Sequence, residues 1–189
     1  MHRNRRRAGA WLALVGAALA AVVAGWLGAK SSRGDPGVRL GIFDRPATAA
    51  DALPTAILGS PAAIRFAGAT SARLAQTNGT RSVFVVRGRG ATVCVVVADS
   101  ADQGYATDCA SRRLLATGAI YLSMPHPDGT LDVVGVADDR VTSVQQAGAV
   151  APTRNNVFVL NGVRGQVISL ARSDGVRTVD LGPQSPLPR

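Results

Sequence analysis

Residues 92–98 read Thr-Val-Cys-Val-Val-Val-Ala, an apolar run that decides the fold class. β-branched residues dominate the run, and its length suits a buried strand better than a helix. Turn residues separate similar short runs along most of the chain, and the predicted further strands are Ala72–Thr77, Thr80–Arg87, Ala119–Met124, Leu131–Ala137, Val141–Gln146, Asn156–Leu160, Val167–Ala171 and Val176–Leu181. This spacing predicts an antiparallel β-rich domain.

Turn chemistry marks the joints between these strands. Asn78-Gly79 predicts a type I′ hairpin turn, and Gly88–Gly90, Pro127–Gly129 and Ser173–Gly175 also lie at joints. Asn78-Gly79-Thr80 matches a glycosylation sequon as well, although a turn is sufficient to explain it.

Short helices are expected before the first strand, within residues 43–69. Pro46 suits a first helical turn, Thr48 with Asp51 resembles a capping box, and Pro54 would interrupt a continuous helix. The predicted fold is therefore α+β and mostly β. It consists of one antiparallel domain over residues 42–181 with one to three short helices, preceded by a single transmembrane helix.

Cys94 and Cys109 are the only cysteines, and we predict a structural disulfide between them. The bridge would close a loop of 14 residues, worth ~3 kcal/mol in the chain-entropy model. Asp108 resembles an N-cap before a helix over Ala110–Thr117, with Gly118 as its C′ residue, so the bridge would pin that helix to a strand. A catalytic dithiol would need closer spacing, and two cysteines without a nearby histidine make a poor zinc site.

The segment Ala8–Ala29 contains 22 residues without a charge, enough to span a bilayer as a helix. Trp11 and Trp26 lie near its two ends, where indole rings favour the headgroup level. Four arginines precede the segment, namely Arg3, Arg5, Arg6 and Arg7. The positive-inside rule then predicts a single-pass protein of the cell membrane, with residues 1–7 in the cytoplasm and the C-terminal domain outside.

A cleaved signal peptide is the alternative to a retained anchor, because it shares the basic start. The uncharged run is longer than an ordinary signal-peptide core, which favours the anchor. Residues 30–41 are predicted to form a polar linker, and residues 182–189, with three prolines, a disordered tail.

The net charge of +9 could suggest a nucleic-acid partner, but much of it is local to the membrane segment. Residues 31–189 hold 16 arginines against 12 aspartates, scattered and with few aromatic residues between them. This distribution argues against a nucleic-acid partner. The membrane segment and the exported domain lead us to expect the lipid bilayer and an envelope protein as partners.

The sequence contains few residues that could act as a catalytic acid, base or nucleophile. His126 is the one histidine after the membrane segment, so a conventional hydrolase would depend on it, with Ser123 and Asp128 as the nearest partners. Its setting between Pro125 and Pro127 predicts an exposed turn, where replacement by alanine should cost less than about 0.5 kcal/mol.

Two further patterns could bind ions and are weighed against plainer interpretations. Asp99, Asp102 and Asp108 share the loop closed by the predicted disulfide, but their spacing is not that of an EF-hand. Arg87–Gly90 is glycine-rich but lies between strands, which does not suit a phosphate-binding loop. We predict no cofactor and no metal, and a small-molecule ligand is not specified.

Several segments together resemble uncharacterised single-pass membrane-anchored envelope proteins of high-GC Gram-positive bacteria. They are Phe43–Thr48 with Asp51, Leu53 and Pro54, the cysteine strand, Val141–Val144 and Asn155–Phe158, behind a basic start and one membrane segment. The resemblance brings no activity and gives no residue a role. Because the sequence offers few acid-base residues, a non-catalytic extracytoplasmic binding or accessory module is the expected function, and a hydrolase using His126 is the alternative.

Overall fold

The computed structural model describes residues 37–181. The predicted transmembrane helix Ala8–Ala29, with Trp11, Trp26 and the arginines before it, lies outside these residues, as does the predicted tail. Within the described part, no helix has both the length and the apolar composition needed to cross a membrane.

Eleven strands form three antiparallel sheets in the described part of the chain. Sheet A contains, in spatial order, β1 (Ala72–Asn78), β2 (Arg81–Arg87), β3 (Thr92–Asp99) and β4 (Gly104–Ser111). Sheet B contains β5 (Ile120–Pro125), β6 (Leu131–Val136) and β9 (Val157–Val163). Sheet C contains β11 (Gly175–Asp180), β10 (Val167–Arg172), β7 (Val141–Gln146) and β8 (Ala149–Pro152). The prediction of a mostly β, antiparallel domain is confirmed.

Sheet B lies between two cores, because its side chains alternate between two faces. Val134 and Val136 of β6 pack in the first core with the inner face of sheet A, including Val95. Leu131 and Val133 face the second core, with the inner face of sheet C. Every residue of β6 is buried. This explains why the strand is nearly continuous in apolar residues.

The close approach of β6 to β9 depends on Gly135. A Cβ at this position would lie 2.3 Å from the Phe158 ring and 2.8 Å from the backbone oxygen of Ile120. Phe158 is fully buried. Any larger residue at position 135 would therefore displace the Phe158 ring.

A helical segment precedes β1, and its residues 53–66 cover the outer face of sheet A. Its elements are η1 (Gly41–Phe43), η2 (Ala49–Asp51), α1 (Thr55–Leu58), η3 (Pro61–Arg65) and η4 (Ala69–Ser71). Leu53, Ile57 and Phe66 pack with Phe84 and Cys94 in a third core. The chain thus covers both faces of sheet A with its own residues.

The capping box at Thr48 and Asp51 is confirmed, although it caps a 3₁₀ helix. Asp51 is buried, and it accepts hydrogen bonds from Arg45 and from the Leu74 amide of β1. Hydrogen bonding to Arg45 is the main reason why the pKa of Asp51 lies well below its usual range. This carboxylate fastens the helical segment to sheet A. Pro46 precedes η2 rather than occupying its first turn.

Three local predictions are wrong. Asp108 and Cys109 belong to strand β4, and the following helix, α2, is limited to Arg112–Thr117 with Ser111 as its N-cap. Gly118 has φ −161°, which is extended and not the left-handed conformation of a C′ residue. The β1–β2 turn has Gly79 and Thr80 at its centre, and only Gly79 has positive φ, whereas a type I′ turn requires it at both positions.

The predicted linker ends earlier than residue 41. Leu40 and Ile42 are buried in the first core. The Gly41 amide donates to Asp139, and the Ile42 amide donates to Asn156. The chain therefore enters the domain along a fixed path from about residue 38.

Candidate functional site

Asp132 is the centre of a polar cluster at one end of the first core. It is buried, and its carboxylate accepts hydrogen bonds from His126 Nε2 at 3.0 Å, the Gly162 amide at 3.0 Å and Arg81 at 2.8 Å. Arg81 also lies 3.5 Å from Asp99. A buried carboxylate is costly unless it is paired, so these donors make the position tenable.

The local sequence explains how the donors converge. The register between β6 and β9 shifts at Asp132, which leaves Asn161 and Gly162 opposite this single residue. Gly162 has φ +60°, a conformation that favours glycine, and its amide is directed at the carboxylate. A lone aspartate inside the apolar run Leu131–Ala137 is the sequence signal that could have revealed this cluster.

Two effects act on the pKa of Asp132. Burial raises it, but the hydrogen bonds from His126 and Arg81 lower it, and the pKa lies below the ordinary aspartate value. The ionised carboxylate therefore joins β2, the β5–β6 hairpin and β9.

His126 does lie on the β5–β6 turn, as expected, but it is not freely exposed. Its side chain is 37% exposed, and the ring is tied to Asp132. His126 is therefore a half-exposed turn residue with a structural partner that its own neighbours in sequence do not reveal.

An Asp–His pair supplies two of the three members of a hydrolase triad, so the position of the hydroxyl matters. Ser123 pairs with Val133, which faces the second core, whereas Asp132 lies on the opposite face of sheet B. Asp128 accepts hydrogen bonds from the amide and hydroxyl of Thr130 within the turn. Ser123 therefore lies outside the cluster, and Asp128 makes its hydrogen bonds to Thr130 and none to the Asp132 carboxylate within the described residues.

The aspartates of the disulfide loop are also dispersed. Asp99 lies at the end of β3 and accepts a hydrogen bond from the Ala101 amide, while Asp108 pairs with Val95 in the middle of β4. Among residues 37–181, no group of three or more histidine, cysteine or acidic residues could hold a metal ion. Arg87–Gly90 connects two strands, and Arg87 lies over the Phe43 ring at 4.5 Å.

Two of the clefts on the described surface are large enough to compare with a ligand site. The first, of about 320 Å³, is lined by Ile57, Phe84 and Ala98 with Asp99 and Gln103 at its rim. Ile57 and Phe84 are already buried by the fold, so they offer little apolar area to a ligand.

The second cleft, of about 370 Å³, surrounds Asp139, Asn155 and Asn156. Asp139 accepts hydrogen bonds from the Gly41 amide and from Asn156, and Asn155 donates to the Ala75 carbonyl. These polar groups secure the entry of the chain into the domain. The polar groups that line this cleft thus have structural roles, and the cleft gives no separate indication of a ligand.

The outer face of sheet C is the feature with the clearest potential for binding. Strand register and the alternation of buried residues assign ten side chains to this open face, namely Ser143, Gln145, Val150, Pro152, Val167, Ser169, Ala171, Val176, Thr178 and Asp180. Asp180 is the single charged member. Val150, Val167 and Val176 are 62%, 51% and 71% exposed, which is unusual for valine in a protein otherwise rich in surface arginine and aspartate.

The disulfide between Cys94 and Cys109 is confirmed. It joins directly opposed residues of β3 and β4, with the two Cα atoms 4.0 Å apart, rather than a strand and a helix. Both residues pack in the third core. The bridge therefore reinforces sheet A beneath its helical cover.

Comparison with known proteins adds neither a fold name nor an activity. No protein-family model, curated protein or solved structure matches this chain. The open face, the Asp132 cluster and the disulfide are thus the features from which a function can be inferred.

Proposed function

We propose that the protein is a single-pass membrane protein whose β-rich domain lies outside the cytoplasm and binds a protein of the cell envelope, without catalysing a reaction. The disulfide supports export, because structural disulfides persist in oxidising compartments. The uncharged segment Ala8–Ala29 supports a retained anchor.

The path of the chain into the domain fits this arrangement. Leu40 and Ile42 are core residues, and Asp139 and Asn156 hold the backbone between them. The domain therefore begins at about residue 38, which leaves the predicted anchor Ala8–Ala29 outside it.

The open face of sheet C is the observation that carries the binding proposal. It is a sheet surface of small, mostly uncharged side chains, which suits the surface of another protein better than a small molecule that needs a concave pocket. It contains no arginine, so it offers nothing to nucleic acid or acidic lipid. Ten side chains are fewer than the ~20–30 per partner of a standard stable interface, so we expect a transient complex.

Site-specific crosslinking in intact cells tests the proposal. A photo-crosslinking residue at Thr178 should give a discrete adduct with an envelope protein, and Val150→Arg, on the same face of the sheet, should abolish it. Ile64 is a matched control, because it is 68% exposed but lies on η3, within the helical segment that covers sheet A. A crosslinker at Ile64 should give no such adduct, and Ile64→Arg should leave the Thr178 adduct intact.

Three results would contradict the proposal. They are the absence of an adduct from Thr178, equal labelling from Thr178 and Ile64, and an adduct whose second component is another copy of this chain.

A further inference from the structure

The sequence contains two Asn-Gly pairs, Asn78-Gly79 and Asn161-Gly162. Both asparagines are exposed, and both glycines have positive φ, +57° and +60°. The pairs differ in the hydrogen bonding of the glycine amide. The Gly162 amide donates to Asp132 at 3.0 Å, whereas the Gly79 amide donates no hydrogen bond within the described part of the chain.

We propose that Asn78 is a site of spontaneous deamidation and that the Asp132 cluster protects Asn161 from the same reaction. The Gly79 amide nitrogen gives its proton to solvent and attacks Cγ of Asn78. The bond from Cγ to Nδ2 then breaks, ammonia leaves, and a five-membered succinimide remains. Water adds to one of its two carbonyl groups and opens the ring to aspartate or isoaspartate, with no oxidation or reduction.

The geometry favours this reaction at Asn78. Glycine is the least obstructive neighbour for ring closure, and the space is open around both Gly79 and Gly162, since a Cβ at either position would meet no atom of a non-adjacent residue within 4 Å. The hairpin turn is at the surface, where local opening is easiest. At Asn161, by contrast, the nucleophilic nitrogen must first break a hydrogen bond to a buried carboxylate.

The reaction would alter one edge of sheet A. Asn78 pairs with Arg81, the residue that also binds Asp132. A carboxylate at position 78 places a new negative charge beside this arginine, and an isoaspartate adds one atom to the backbone of the turn. The isoaspartate product, which lengthens the backbone, would therefore loosen the β1–β2 hairpin. The deamidation does not depend on the proposed protein partner.

Peptide mass spectrometry of the full-length protein tests the inference. The protein is incubated in detergent at mildly alkaline pH and cleaved after arginine. One peptide, residues 74–81, contains Asn78 as its only asparagine, and another, residues 155–164, contains Asn161, which fragment spectra separate from the other two asparagines. Asn78 should convert about ten- to a hundredfold faster than Asn161, the range that loss of a hydrogen bond to a charged group supports.

The same protein denatured in urea is the matched control. Both Asn-Gly pairs should then deamidate at similar rates, because the fold no longer distinguishes them. Similar rates in the folded protein, faster conversion of Asn161, or an unchanged difference after denaturation would each overturn the inference.

Discussion

Replacing His126 with alanine removes the hydrogen bond from Nε2 to the buried carboxylate of Asp132, which is 3.0 Å long. A hydrogen bond to a charged group contributes on the order of 1.5 to 3 kcal/mol when buried, and the exposure of the ring reduces this. We therefore expect the free energy of unfolding to fall by about 1 to 2 kcal/mol. This exceeds the ~0.5 kcal/mol expected of an exposed turn residue.

Urea unfolding of the oxidised protein, followed by circular dichroism, measures this loss. His126→Gln is the matched control, because its side-chain amide retains a donor near the position of Nε2. The glutamine variant should recover most of the lost stability, and it should also restore any cellular phenotype of the gene deletion, since glutamine cannot act as a general base.

Two results would refute this reasoning. A loss below about 0.5 kcal/mol for His126→Ala would mean that the bond to Asp132 contributes nothing beyond a surface contact. Failure of a stable His126→Gln protein to restore the phenotype would favour the hydrolase alternative.

Two more predictions concern the disulfide and the buried carboxylate of the helical segment. Cys94→Ala should lower the free energy of unfolding by ~2 to 5 kcal/mol. In the denatured, unreduced wild-type protein, thiol labelling should detect neither Cys94 nor Cys109. Two labelled thiols in wild-type protein taken from its own compartment would contradict the bridge. Asp51→Asn should weaken the contact with Arg45 and remove an acid-sensitive contribution to stability. Because the pKa of Asp51 is lowered in the folded state, that contribution is present above the unfolded pKa of ~3.9 and is lost as pH falls through the folded value. Urea unfolding between acidic and neutral pH should therefore show a steeper acid loss in the wild type than in the variant, and equal slopes would count against this role.

The strands that could be predicted are those whose own composition is decisive. β3 is rich in valine, and β6 is buried on both faces, so both stand out as apolar runs. β4 could not be found in this way. Its residues Gly104–Ser111 mix small, polar and apolar side chains, none of them is fully buried, and Asp108 resembles a helix N-cap. Pairing with β3 overrides that local preference.

The candidate sites were harder to predict because they depend on register. The turn at His126 follows from its flanking prolines, but its contact with Asp132 depends on how β5, β6 and β9 align. The open face likewise requires the order of four strands, one of which, β8, has only four residues and ends in proline. Strand order is not encoded in periodicity, so these surfaces emerge only from the structure.

We propose above all that this β-rich domain is anchored in the membrane and lies outside the cytoplasm. A reporter enzyme that is active only outside the cytoplasm, fused after Arg189, tests it most directly when combined with membrane fractionation. We expect reporter activity in the membrane fraction, with the chain retaining Ala8–Ala29. Reporter activity confined to the cytoplasm would contradict the topology, and recovery of a membrane-free protein that lacks residues 1–29 would show a cleaved signal peptide in place of the anchor.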